Sequence, residues 1–129
     1  MDIFEISASG LTAQRARLDI IGANIANVET TRTPSGGPYQ RLQSVFASQG
    51  DNPGGVAMIG ALPDLREPRR VYQPGHPHAN AEGFVSYPNV NIVEEMVDLV
   101  SATRSYEANA AAFNAAKSMA QHALDLGRA

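Results

Sequence analysis

Two histidines flank a proline at His76-Pro77-His78, the one place where this sequence gathers imidazoles. Such a pair can ligate a metal, but a site needs about three or four ligands. His122 is the only other histidine, and with no cysteine in the chain a third ligand would have to be a carboxylate such as Glu82. Pro74-Gly75-His76-Pro77 is also turn chemistry that needs no ion, with Gly75 placed where a positive φ would penalise any Cβ. Glu94, Glu95 and Asp98 could do acid–base work, yet their place at the start of a helical pattern explains them as charges that suit the helix dipole. Lys117, the only lysine, could be a perturbed amine nucleophile; a lysine snorkelling from a helix face is the simpler reading. Arg66, Arg69 and Arg70 stand beside Asp64 and Glu67 in a Pro-rich stretch, which favours a solvated loop over a phosphate grip. There is no G-x-S-x-G elbow, no phosphate loop and no G-x-G-x-x-G. No catalytic, cofactor-binding or metal-ligating residue is assigned, and the chain reads as a non-enzyme.

The elements that carry these residues fall into three parts. Over residues 1–28 there is no proline, and Phe4, Leu11, Leu18, Ile21, Ile25 and Val28 recur on a 4-3-4-3 ladder completed by Ser7 and Gln14. That is the spacing of a coiled-coil seam. Gly10 and Gly22 each cost a helix about 1 kcal/mol relative to alanine, so this helix needs a partner. Over residues 88–129, Asn91 followed by Glu94 has the spacing of a capping box. A second seam then runs Ile92, Met96, Leu99, Thr103, Tyr106, Ala110, Phe113, Lys117, Ala120, Leu124, and Gly127 supplies a stop. At ~1.5 Å per residue, such a helix is a rod of about 50 Å.

Between them, residues 29–87 hold seven of the eight prolines, and five acidic residues balance five basic ones. Val45-Phe46, Val56 to Leu62, Val71-Tyr72 and Phe84-Val85 read as short strands bounded by turns. The fold class is therefore mainly α: long N- and C-terminal helices paired as a coiled-coil hairpin, with a Pro/Gly-rich insert of short β-strands and loops. Of the 56 apolar residues 20 are alanines, which suits helices packed closely against neighbours better than one large core. Alanines from Ala108 to Ala116 cover nearly the whole circumference of the second helix, which permits packing from several sides. A formal charge of −3 excludes a basic, nucleic-acid-coating surface. No run approaches the ~20 apolar residues of a membrane span, and nothing near Asp2 and Glu5 resembles a cleaved secretion signal.

Two segments then point to a family. Gly22-Ala23-Asn24-Ile25-Ala26-Asn27-Val28-Glu29-Thr30-Thr31 resembles the A-N-N-I-A-N-x-x-T-T signature of the axial rod and hook proteins of the bacterial flagellum. Val93-Glu94-Glu95-Met96-Val97-Asp98-Leu99, continuing to Arg104-Ser105-Tyr106-Glu107-Ala108-Asn109, resembles the matching C-terminal signature. Gly37-Pro38-Tyr39, Pro74-Gly75-His76-Pro77, Ala81-Glu82-Gly83 and Tyr87-Pro88-Asn89-Val90 are similar to the middle region of a short, proximal member. The stretch from Asp51 to Leu65 carries little of the pattern.

The resemblance implies a structural subunit of the proximal rod within the periplasm, exported by the flagellar type III apparatus and polymerising with itself, FlgB, FlgF, FlgG and the rod–ring adaptor FliE. The paired terminal helices would form an inner tube, with the assembly interface on Leu11, Leu18, Ile21, Asn24, Ile25, Asn27, Met96, Leu99, Thr103, Tyr106, Asn109, Ala110 and Phe113. The asparagines among them would fix register if buried between helices, or else serve as local caps. Another axial rod protein such as FlgB is the runner-up, followed by a soluble helical-hairpin export chaperone.

Overall fold

An aspartate opens the first element of the computed structural model, which describes residues 2–51 and 54–128. The Asp2 carboxylate accepts from the Glu5 amide at 2.8 Å, and the Glu5 carboxylate accepts from the Asp2 amide at 3.2 Å. This reciprocal capping box starts helix α1, Ile3–Ala26. Asn27 closes it, its Nδ2 donating to the Ala23 carbonyl at 2.8 Å while its Oδ1 accepts from Thr30 at 3.0 Å. A second helix, α2, runs Ile92–Gly127. Its cap is one-sided: Asn91 Oδ1 accepts from the Val93 and Glu94 amides, but the Glu94 carboxylate turns to Arg66. The box expected at Asn91 is thus only half formed, because an arginine competes for the glutamate.

Four strands lie between the helices. Strands β1 (Leu42–Gln49) and β2 (Gly55–Pro63) pair antiparallel from Leu42↔Pro63 to Gln49↔Gly55. The register steps between Val45↔Gly60 and Phe46↔Met58, so Ile59 is an extra residue, and it stands exposed. Strands β3 (Arg69–Tyr72) and β4 (Phe84–Tyr87) form a second antiparallel pair. All four short apolar runs expected as strands lie in these elements. Asn52 and Pro53, in the poorly patterned stretch, lie outside the described residues.

The helices pack antiparallel. Phe4 meets Phe113 edge to face with ring centroids 5.5 Å apart, Gly10 lies against the Asn109 side chain, and Asn24 reaches Glu95. A Cβ on Gly10 would come within 2.9 Å of Asn109 Nδ2, so this glycine buys close approach of the two helices. Helix α1 also packs on β1 and β2, where Ser9 Oγ accepts from the Val56 amide at 3.1 Å. Two buried faces, rather than one stripe, account for Gly10, Ala13, Ile21 and Asn24 all lying inside.

This changes the seam expected on α2. Its buried residues are Glu95, Ala102 and Ala116, while Met96 is 54% exposed, Tyr106 37% exposed, and Thr103 and Lys117 face outward. Leu99, Ala110 and Phe113 are half-buried, as are Leu11, Leu18 and Ile25 on α1. The heptad pattern follows the larger side chains. The helix contact instead uses small and polar ones one position earlier, which let the backbones draw together.

Glycine positions also differ from expectation. Gly75 has no positive φ and open space where a Cβ would stand, whereas Gly83 has φ +87° and a Cβ there would meet the Tyr72 ring at 2.8 Å. Gly83→Ala should cost about 1–2 kcal/mol from backbone strain alone. Gly75→Ala should stay within about ±0.5 kcal/mol. Thermal unfolding of the two variants checks the order; equal losses would contradict it.

Candidate functional site

The two signature segments converge on one buried cluster. Asn24, fully buried, spends its whole hydrogen-bonding capacity inside the chain. Its Nδ2 donates to the Leu42 carbonyl at 2.9 Å and to Glu95 Oε2 at 3.3 Å, and its Oδ1 accepts from the Leu42 amide at 3.0 Å and the Tyr39 hydroxyl at 2.8 Å. The side chain therefore acts as a strand partner for Leu42 while holding the head of α2. Burial, then the charge of Glu95, raises the pKa of Tyr39 and keeps its hydroxyl a donor.

Glu95 is fully buried as well, and Arg41 answers its charge through Nε. The same guanidinium reaches Asp64 Oδ2 and Asp98 Oδ2, each at 3.2 Å. Burial works against the charge on Arg41, but Glu95 and Asp64 more than offset it, so its pKa lies above the ordinary value. Asp64 also accepts from Arg66, at Nε (2.9 Å) and at the backbone amide (3.0 Å). Those two bonds, with Arg41 behind them, hold its carboxyl down at about 2 despite burial. Asn89 fastens the far side, its Oδ1 accepting from the Arg41 amide and its Nδ2 donating to the Asp64 and Arg66 carbonyls. Among the described residues no buried side-chain nitrogen or oxygen lacks a partner.

The resemblance implies that Asn24 and Asn27 lie at an interface between subunits. In the chain, Asn24 is committed inward and Asn27 is the local cap of α1. Asn109 faces Gly10. Glu95 stands in the first turn of α2 with Glu94, but unlike its neighbour it is fully buried and paired with Arg41. Arg41 carries no motif, and sequence reasoning missed it; Tyr39 and Asn89 lie in segments similar to the family's middle region and Asp64 was noted beside Arg66, but none of the three was given this role. The available signal was the exact cancellation of charge within residues 29–87, which hints at internal pairing.

The other candidate residues are structural. His78 Nδ1 lies 2.6 Å from Thr31 Oγ1, and His76 Nδ1 accepts from the His78 amide at 3.0 Å, so the loop is tied to the segment after α1. Among the described residues, no group of three His, Cys, Asp or Glu side chains could hold a metal ion. Arg69 lies over the Tyr87 ring at 5.0 Å and Arg70 over the Phe84 ring at 5.4 Å, each guanidinium stacked rather than gathered for phosphate. No helix among the described residues is long and apolar enough to cross a membrane.

What this arrangement can do is hold shape: it binds both terminal helices to the insert and leaves much of α2 bare. Both signature segments lie in this arrangement, one at the end of α1 and the other along α2. The family model described as "Flagella basal body rod protein" matches residues 4–32, and that described as "Flagellar basal body rod FlgEFG protein C-terminal" matches residues 81–126. Among curated proteins, the flagellar basal-body rod protein FlgC of Escherichia coli O6:H1 is 42% identical, covering 99% of this chain and 98% of that protein. FlgC of Borreliella burgdorferi is 42% identical over 92% of this chain and 91% of its own length, and FlgC of Bacillus subtilis 42% over 95% of each. The chain belongs to the FlgC family, structural rod subunits of the flagellar basal body.

Two outcomes test the cluster. Arg41→Met strands buried Glu95 without its counter-ion and should cost about 3–5 kcal/mol. Arg41→Met with Glu95→Gln removes the stranded charge while keeping an acceptor for Asn24, and should recover part of that loss. Denaturant titrations of both read this; no recovery would mean that the pair is not the cause. Separately, the stability contributed by Asp64 is complete above its ordinary pKa of 3.8 and is lost as pH falls through about 2. The stability gap between the native chain and Asp64→Asn should therefore narrow across that window and be flat above it.

Proposed function

We propose that this subunit polymerises in the proximal rod with FlgB, FlgF, FlgG and FliE, and that the resulting tube transmits motor torque. The terminal helices act there as a coiled-coil hairpin lining the inner tube, with residues 29–87 outward. The observation that carries this is the row of large apolar side chains left uncovered on α2: Val93, Met96, Val97 and Val100 are all exposed, and Tyr106 is exposed further along on another face. A row at helical spacing of that size marks a contact surface. Leu11, Leu18, Ile25, Leu99, Thr103, Ala110 and Phe113 flank it and complete the interface, while Ile21, Asn24, Asn27 and Asn109 serve the fold beneath. The all-round alanine surface of Ala108 to Ala116 supports packing by more than one neighbour.

The same reading puts the chain in the periplasm, delivered unfolded by the flagellar type III apparatus. In a strain lacking its own copy, Met96→Asp should abolish swimming and leave basal bodies without a rod beyond this subunit, at unchanged subunit level. The substitution lies on an exposed position and spares the buried cluster. Normal rods and motility in that variant would remove the face from the interface. Subunits retained inside the cell as soluble complexes with other rod proteins would instead favour a chaperone.

A further inference from the structure

Strands β3 and β4 pair with each other and come close to no other helix or strand of the chain. At its base their ribbon is fixed by Asn89, which bonds the backbones of Arg41, Asp64 and Arg66. At its tip a single bond fixes it. Among the described residues, the 2.6 Å bond between His78 Nδ1 and Thr31 Oγ1 is the only hydrogen bond from residues 69–87 to the rest of the chain. The turn that presents His78 is set by the other imidazole of the tip. The His78 amide donates to His76 Nδ1 at 3.0 Å, and the two rings stand 5.4 Å apart. A ring nitrogen that accepts carries no hydrogen, so His76 is neutral in this closed form, with its proton on Nε2.

Histidine is the side chain whose ordinary titration falls between about pH 5 and 8. A proton added to His76 goes onto Nδ1, where it faces the His78 amide, donor against donor. A proton on His78 leaves an Nδ1–H that Thr31 still accepts, but with His76 charged as well it sets two cations side by side. Nothing at the tip offsets them, since neither imidazole pairs with a carboxylate among the described residues. From β4, His76 is faced by the Tyr87 ring at 6.4 Å, whose hydroxyl donates to Gln73; from β3, the Arg69 guanidinium lies over that same ring. Beside Thr31, Glu29 and Arg32 are exposed and opposite in sign, and Glu82 in the tip loop is exposed too. We propose that His76 and His78 form an acid-released latch, which holds the β3–β4 ribbon on the segment after α1 and lets it go when His76 takes up a proton. The closed form binds fewer protons than the open one, so the latch strengthens as pH rises. The base of the ribbon does not follow. Asn89 bonds only backbone groups there, and Asp64, held at about 2, stays charged throughout. Release is therefore a swing of an intact hairpin about residues 64–68 and 88–91.

The chain contains no cysteine, so Ala26→Cys and Ala81→Cys, both at exposed positions, place one spin label on each side of the latch. Pulsed electron paramagnetic resonance on the full chain then reads the distance between them at about pH 8 and about pH 5. The expected result is one narrow distance at the higher pH. At the lower pH it should be lost to a longer, broad distribution, with an unchanged far-UV spectrum. His76→Asn keeps an acceptor for the amide two residues on and cannot take up the proton, so the narrow distance should persist at both pH values. Thr31→Val removes the tip bond and should give the broad distribution at both. A labelled but otherwise native chain whose distance ignores pH would overturn the latch. So would a pH response that survives in His76→Asn, or a Thr31→Val ribbon that stays closed at the higher pH. Loss of the far-UV helix signal on acidification would overturn it as well, because release would then be unfolding of the chain and not a swing of the ribbon.

Discussion

Everything in this chain hangs on the side-chain amide of Asn24. It is inserted where a neighbouring strand would otherwise pair with Leu42, and it uses its remaining valences on Glu95 and Tyr39. One side chain thus joins the end of the first helix, the start of the first strand and the head of the second helix. A buried amide left unpaired costs about 1–3 kcal/mol, so none of those three elements can move away alone. Arg41 extends the junction to Asp64, and through Asn89 it reaches the turn that leads into α2.

That junction lets the helix pair itself be lean. Gly10 against Asn109, with Ala13, Ala102 and Ala116 buried, gives close backbone approach but little apolar area. The hairpin holds at one end by polar chemistry and along its length by shape, and it spends few large side chains on itself. The valines at the head of α2, with Met96 and Tyr106, thereby remain exposed. A subunit of a polymer gains from this division: its interior sets geometry, and its surface holds the hydrophobic driving force.

Periodicity and turn residues revealed the elements well. The long helices and the four strand segments follow from local rules of spacing and capping; Gly127, expected as the stop, is itself helical without a positive φ, and Arg128 is the cap. What they could not reveal was the facing of α2, because the heptad follows large side chains and the contact uses Glu95 and Ala102. Nor could they find the partner of Glu95, since Arg41 lies 54 residues away with no motif to announce it. Asn24 was visible through its family signature, yet its direction was not: an asparagine in a helix looks the same whether it serves a neighbour or its own chain. Gly75 drew attention because it sits among prolines, while Gly83 nearby, which is under real constraint, is held by its positive φ and by the Tyr72 ring packed above it.

The span of the Asn24 junction has a further consequence, for the order in which the molecule can fold. Residues 24 and 95 are 71 positions apart, and Leu42 and Arg41 must be in place between them. Loop closure over such a distance costs entropy before any contact returns it. A chain emerging from the ribosome has no acceptor for Asn24 Nδ2 at Glu95 until almost three quarters of it is made. Its first helix, interrupted by Gly10 and Gly22, has little reason to persist alone until then. The nascent polypeptide is thus kept pliable by the placement of its own lock, and becomes rigid only when its last segment arrives.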